Sequence, residues 1–407
     1  MHAPRIVESL KVPYFRLFIV TRLADYSAMG MVQLCNSLLL YRLTGSPALL
    51  GVLPLVHSIP YLLLSPFAGV IADRLQKKYI VLIGMFIAMV VALWVAISIT
   101  TGYLSAENEG SWWVIMVSFA LNGMVTCLLG PARLAMIPGI VGQERLTNAM
   151  ALNQIAQNTA LIMGPALAGF LVDSIGFDFV FYTVAGLYGL CTVLWTFMPK
   201  SSESTAEHGS VFADIRDVLV YLRHELPLAV ILGYVMCLVF CFMPFRSLLP
   251  IFTEDILKVD ATGLGLLQSI TGIGAMAGAL VLASLPNKRR GALLLLSGII
   301  LGVGLMAFSF SKSYHFSLAI VVIIGIGQAG QVILPLTLLQ SYTRDEYRGR
   351  VLSLYGMELG VSSFGAFVAG ILAAALGVQW SVGGLALLLV VATLLVSVFS
   401  PYLRKLD

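Results

Sequence analysis

Twelve times along this chain, twenty or more residues pass with few charges: at 14–43, 48–71, 79–101, 112–136, 147–174, 178–198, 228–253, 263–285, 291–311, 315–341, 351–376 and 380–400. A helix rises about 1.5 Å per residue, so each run is long enough to cross the ~30 Å hydrocarbon core of a bilayer. Lipid offers no hydrogen-bond partner to a backbone group, and a helix closes those bonds within itself. The composition agrees, with 59% hydrophobic and 11% charged residues among 407, where a soluble domain carries roughly a quarter charged. The expected fold is an all-α membrane protein of twelve transmembrane helices, with the lipid bilayer as its first partner.

The few charges set the expected orientation. One set of loops holds Arg74, Lys77, Lys78, Arg145, Lys200, Arg216, Arg223, Lys288, Arg289, Arg290, Arg344, Arg348 and Arg350, and both chain ends share its basic character. The alternate loops hold only Arg42, Lys258 and Lys312, beside acids such as Glu107, Glu109, Asp173, Glu254 and Asp255. Basic loops stay in the cytoplasm, so a multi-pass protein of the inner (cytoplasmic) membrane with both termini cytoplasmic is expected. The first apolar run is too long for a signal-peptide core. No basic stripe carries interleaved aromatics, which sets aside nucleic acid as a partner. Cys35, Cys127, Cys191, Cys237 and Cys241 all fall inside apolar runs and read as small core fillers.

Residues 200–209 (KSSESTAEHG) are polar and separate six spans from six. After them, Phe212, Ile215, Val218, Leu219 and Leu222 share one helical face opposite Asp214, Asp217 and Arg223, which predicts an amphipathic helix along the membrane surface. The expected organisation is a six-helix bundle over 1–199, a cytoplasmic linker over 200–227 and a second six-helix bundle over 228–407. The halves repeat internally. A shift of 201 residues lays Gly164, Ala168, Gly169 and Gly176 over Gly365, Ala369, Gly370 and Gly377; shifts of 214 and 204 bring Gly51 onto Gly265, and Gly123 and Pro131 onto Gly327 and Pro335. Six spans separate the copies, so two pseudo-symmetric bundles related by an axis along the membrane normal are expected.

After span 2 comes G-V-I-A-D-R-L-Q-K-K, with Gly69, Asp73, Arg74, Lys77 and Lys78. Gly69 permits close helix approach, and Asp73 can face the positive N-terminal end of another helix. This run resembles the loop signature of the major facilitator superfamily. The resemblance implies a cytoplasmic gate against the start of span 11 near Arg350, although Gln76 stands where the family usually has glycine and Asn287 where a second-half aspartate would be. In span 5, Gly164, Pro165 and Gly169 read on packing grounds as an interhelical seam; they also resemble the Gly-Pro motif of the superfamily's antiporters, which implies export. Arg133, in G-P-A-R at the end of span 4, reads as an interface anchor, and the mid-helix arginine often found there in antiporters is absent.

Ionisable groups inside a membrane are costly and hence functional candidates. Arg22 and Asp25 lie three apart on span 1, where they can pair; burial opposes charge on Asp25 while Arg22 favours it, so Asp25 is a candidate proton carrier. Glu358 in span 11 is the second, and Arg246 in the outer half of span 7 can meet an anionic group. Gln33, Asn36, Asn122, Gln154, Asn158, Gln328 and Gln331, with Tyr26, Met29, Tyr234, Met236 and Phe245, are candidates for a substrate cavity. No phosphate-binding glycine loop, nucleophile elbow, HExxH or metal-ligand spacing is found, so no enzyme activity and no cofactor is expected, with a proton gradient as energy source.

The whole chain resembles the superfamily's macrolide-efflux-like and enterobactin-exporter-like drug and proton antiporters, through F-R-L near Phe15, Asp25, L-T-G-S-P at 43–47, G-P-A-R at 130–133 and L-P-I-F at 249–252. That implies proton-driven export of a small hydrophobic drug, siderophore or lipid-like compound by a monomer. The alternatives are an uncoupled facilitator or importer of a metabolite, and a non-transporting membrane sensor, against which the lack of large extramembrane regions argues.

Overall fold

A computed structural model describes residues 8–199, 221, 225–286 and 288–406. They form twelve spans: α1 Pro13–Thr44, α2 Pro47–Arg74, α3 Lys77–Thr100, α4 Trp113–Val141, α5 Leu146–Ser174, α6 Phe177–Thr196, α7 Leu226–Ile251, α8 Ala261–Ser284, α9 Arg290–Ser309, α10 Tyr314–Tyr342, α11 in two pieces, Asp345–Tyr355 and Glu358–Leu376, and α12 Val378–Phe399. A π-helical segment, Phe252–Leu257, extends α7. Eleven spans are long and apolar enough to cross a membrane. The twelfth, α1, is diluted by Arg22, Asp25, Gln33 and Asn36.

Several helices overrun the apolar runs. α2 continues through Asp73 and Arg74, α4 through Pro138, and α11 begins at Asp345. Inside a bundle a helix tolerates proline because neighbouring groups re-satisfy the freed carbonyl. The side chains of Gly69, Asp73 and Arg74 lie outside the described residues, as do Asn287 and most of the expected amphipathic helix. Within that segment Tyr221 is described, stacked on Tyr347 with ring centroids 4.2 Å apart.

Internal contacts divide the chain into two units. The first contains α1, α2 from Val56, α3 to α6, and Asp260–Leu266 at the start of α8; the second contains Gly45–Leu55 at the start of α2, α7, α8 from Leu267, and α9 to α12. The pairing of helices repeats with a shift of six. In the first unit α1 packs on α5 and α6, and α3 on α4 and α6; in the second α7 packs on α11 and α12, and α9 on α10 and α12. Each has an aromatic centre, Phe15–Phe18–Trp195 in one and Phe245–Phe308–Phe252 in the other.

The glycines that matched under the sequence shifts mark close seams. In the second unit a Cβ added to Gly370 would stand 2.8 Å from the Gly51 Cα, closer than real side chains come. In the first unit Gly265 lies against the Pro165 carbonyl and Gly169 against that of Ala261. Small residues here let backbones touch, which is how helices gain dispersion energy in lipid. Asp173, at the end of α5, completes this seam by accepting from Ala261 N at 3.1 Å and from Thr262 N and Oγ1 at 2.6 Å, capping the first turn of α8. This is the acid-to-helix-start device expected of Asp73. Lys78 does the converse, donating from Nζ to the Thr196 and Met198 carbonyls at 2.6 Å and so covering the negative end of α6.

Candidate functional site

The first unit holds a buried charge cluster. One turn of α1 puts Arg22, Asp25 and Tyr26 on one face. Asp25 Oδ2 accepts from Arg22 Nη1 at 2.8 Å and from Arg133 Nη1 of α4 at 2.8 Å, and its Oδ1 accepts from Arg133 Nη2 at 3.1 Å. Arg22 also donates from Nε to Asn153 Oδ1 of α5 at 3.3 Å and from Nη2 to the Tyr26 hydroxyl, with its guanidinium 4.0 Å over the Tyr26 ring. Arg133 Nη2 reaches the Met85 sulfur of α3 at 3.3 Å, while its Nε has no partner among the described residues. From α6, Cys191 donates to the Thr21 carbonyl at 3.4 Å. All four polar residues, Arg22, Asp25, Arg133 and Asn153, are 7% exposed or less.

Arg133 is therefore no interface anchor, which corrects the sequence reading. It lies about two turns inside α4, because that helix runs to Val141 rather than ending near residue 136. A buried arginine in the fourth span is present after all, and it is the ligand of Asp25 from across the bundle.

The count of charges governs what this cluster can do. One carboxylate faces two guanidinium groups, and the forked Arg133 contact satisfies both of its oxygens. Protonating Asp25 would strand two buried cations without a counter-charge, a state costing several kcal/mol. The cluster therefore ties the position of α4 against α1 to the charge on Asp25.

The other candidates are scattered. Gln33 and Met29 are exposed on α1. Asn36 is 1% exposed, and neither end of its amide has a partner among the described residues. Asn122 is partly exposed, and Gln154 and Asn158 bond each other at 3.1 Å on an exposed face of α5. In the second unit Gln328 is partly exposed, and Gln331 is buried with its Oε1 unpartnered. Tyr234 does not line an open cavity: it is 3% exposed and bonded to Thr393 Oγ1 at 3.0 Å. Phe245 is likewise core, edge-on to Phe308. Glu358 starts the second piece of α11 after the interruption at Gly356–Met357 and hydrogen-bonds Tyr355, so it favours the positive end of a restarted helix. Arg246 is partly exposed and has no hydrogen-bond or ion-pair partner among the described residues. Among the described residues no three His, Cys, Asp or Glu side chains are grouped as metal ligands.

Twelve spans in two repeating units, with an intramembrane charge cluster, define a polytopic membrane transporter. The family model described as Major Facilitator Superfamily matches residues 18–363, and the chain belongs to that family. It is 24% identical over 390 residues to Macrolide efflux protein A of Streptococcus pyogenes, covering 93% of each chain. It is 22% identical over 331 residues to the Staphyloferrin A transporter of Staphylococcus aureus, covering 81% of this chain and 82% of that one. Among solved structures, the nucleoside transporter NupG superposes with a TM-score of 0.74 at 13% identity, over 95% of this chain and 99% of that one. The protein is a transporter and not an enzyme.

Proposed function

We propose that the protein exports small amphiphilic or hydrophobic compounds across the bacterial inner membrane by alternating access, in exchange for protons, as a monomer with both termini in the cytoplasm. The observation that carries this reading is the Arg22–Asp25–Arg133 cluster. It holds one buried carboxyl group between two helices, so that a change in its charge would be felt in their packing, which is what coupling requires. The likeness to Macrolide efflux protein A over nearly the whole chain supports outward transport. Glu358, beside the interruption in α11, is the second proton site in this scheme.

The test is transport of a panel of fluorescent amphiphiles into proteoliposomes under an imposed pH gradient, with the native protein, Asp25→Asn and Glu358→Gln. Gradient-driven accumulation should be lost in Asp25→Asn, while exchange of substrate down its own gradient persists. Equal gradient-driven accumulation by all three proteins would remove the coupling assignment and leave an uncoupled facilitator.

A further inference from the structure

We infer that the transported molecule carries an anionic head group, a carboxylate or phosphate on an apolar tail, and that Arg246 of α7 receives it. The inference rests on the reading of the chain as a carrier of amphiphiles, and names the class.

Arg246 lies five residues before the end of α7 at Ile251, inside a span that reaches Leu257. An arginine at such a depth is kept only where something compensates its charge. Elsewhere in the described spans Arg22 and Arg133 share the one carboxylate of Asp25, Glu358 has Tyr355 and a helix start, and His57 packs against the Phe119 ring. Arg246 has no hydrogen-bond or ion-pair partner among the described residues. The acids that follow it on the same chain segment, Glu254 and Asp255, engage groups of their own. A planar fork of donors with nothing to bind is suited to a carboxylate or phosphate arriving from outside the chain.

The face that carries Arg246 says what is attached to that anion. Gly233, Met236, Phe240, Met243 and Arg246 follow one another at helical spacing of three or four residues, and all five are accessible. The stripe of α7 that borders this strip is closed: Val235, Leu238, Phe242, Phe245 and Leu249 are each 1% exposed or less. Phe240 is held at its edge by Phe364 of α11, with ring centroids 6.3 Å apart. From Met236 to Arg246 the strip runs about 15 Å, the reach of a medium-length acyl chain. Two thioethers and an aromatic ring adapt to apolar shapes without demanding one. An apolar track leading to one unpaired cation has the polarity pattern of an anionic amphiphile in reverse.

A free substrate and a bilayer lipid share this chemistry, so the experiment separates them. The purified protein is reconstituted in nanodiscs of phosphatidylcholine, and binding of dodecyl phosphate, dodecanoate, dodecanol and dodecyltrimethylammonium is measured by calorimetry. The two anions should bind at least tenfold more tightly than the alcohol or the cation. In Arg246→Gln that discrimination should vanish, a loss of roughly tenfold to a hundredfold for the anions alone, and Arg246→Lys, which keeps the charge without the fork, should keep only part of it. No preference for anions in the native protein would overturn the proposal without recourse to any variant, as would unchanged anion affinity in a folded Arg246→Gln. Nanodiscs containing phosphatidylglycerol form the second arm. An unchanged dissociation constant supports a single-chain substrate; one that rises in step with the phosphatidylglycerol fraction assigns Arg246 to annular lipid and overturns it. These measurements need no gradient, so failure of proton coupling leaves them standing, and their failure leaves export of neutral compounds intact.

Discussion

Helices α1 and α7 each lead a repeat, and each packs on the fifth and sixth helix of its own half. Their interiors nevertheless differ. α1 buries an arginine and an aspartate, tied into α4 and α5 and polar enough to lower the hydropathy of the whole span. α7 buries phenylalanines and carries one arginine that no described residue of its unit neutralises. Duplication has been retained where backbones touch and lost where charge sits. What the two halves share is scaffold, and what they do not share is the place to look for work done on a proton or a solute.

The sharpest break of that contrast is Asp25→Ala. It leaves Arg22 and Arg133 buried without a counter-charge and should cost about 3–5 kcal/mol, read as a lowered unfolding temperature in detergent. Arg246→Gln, which removes an uncompensated cation, should not lower it at all; a comparable drop would mean that α7 hides a partner. A companion variant with Arg22→Met, Asp25→Leu and Arg133→Met should recover to within about 1 kcal/mol of the native protein yet fail to accumulate substrate under a pH gradient. Recovery of both stability and transport would make the cluster mere scaffold.

Next in size are the seams. Gly370→Leu and Gly265→Leu each force a side chain into backbone, and each should cost about 1–3 kcal/mol. If one is tolerated while the other prevents assembly, the seams are not equivalent and the repeat is less regular than the helix pairing suggests. Asp173→Ala should cost about 1 kcal/mol through loss of the α8 cap, seen as faster amide exchange at Ala261 and Thr262. The smallest effect is that of Lys78→Met, about 0.3–1 kcal/mol; slower exchange at the end of α6 would contradict its capping role.

Much of this was legible before coordinates. Span positions follow because lipid imposes a minimum apolar length, and the repeat follows because only glycine lets backbones meet, so Gly51, Gly169, Gly265 and Gly370 stand out. Half of the cluster was legible too, since Arg22 and Asp25 are one helical turn apart. Arg133 was not, because G-P-A-R and Pro138 read as the close of a helix that in fact continues. Asn153 could have been found: it lies on the buried α5 stripe of Ala149, Ala156, Ala160 and Gly164, whereas the neighbouring polar residues Gln154 and Asn158 point the other way. The interruption in α11 left only Gly356 as a trace, and a lone glycine is common inside membrane helices.

That interruption matters mechanically. Near it, Met357 N bonds the Leu354 carbonyl and Gly360 N the Met357 carbonyl, so the ladder shortens its stride for one turn before resuming. A continuous rod must tilt as a whole, carrying its tip through a wide arc; a jointed one can pivot about a short elbow while Gly370 stays clamped on Gly51. The lower piece, Asp345–Tyr355, is then a lever of only three turns, with Glu358 seated at the joint where its angle would be felt first.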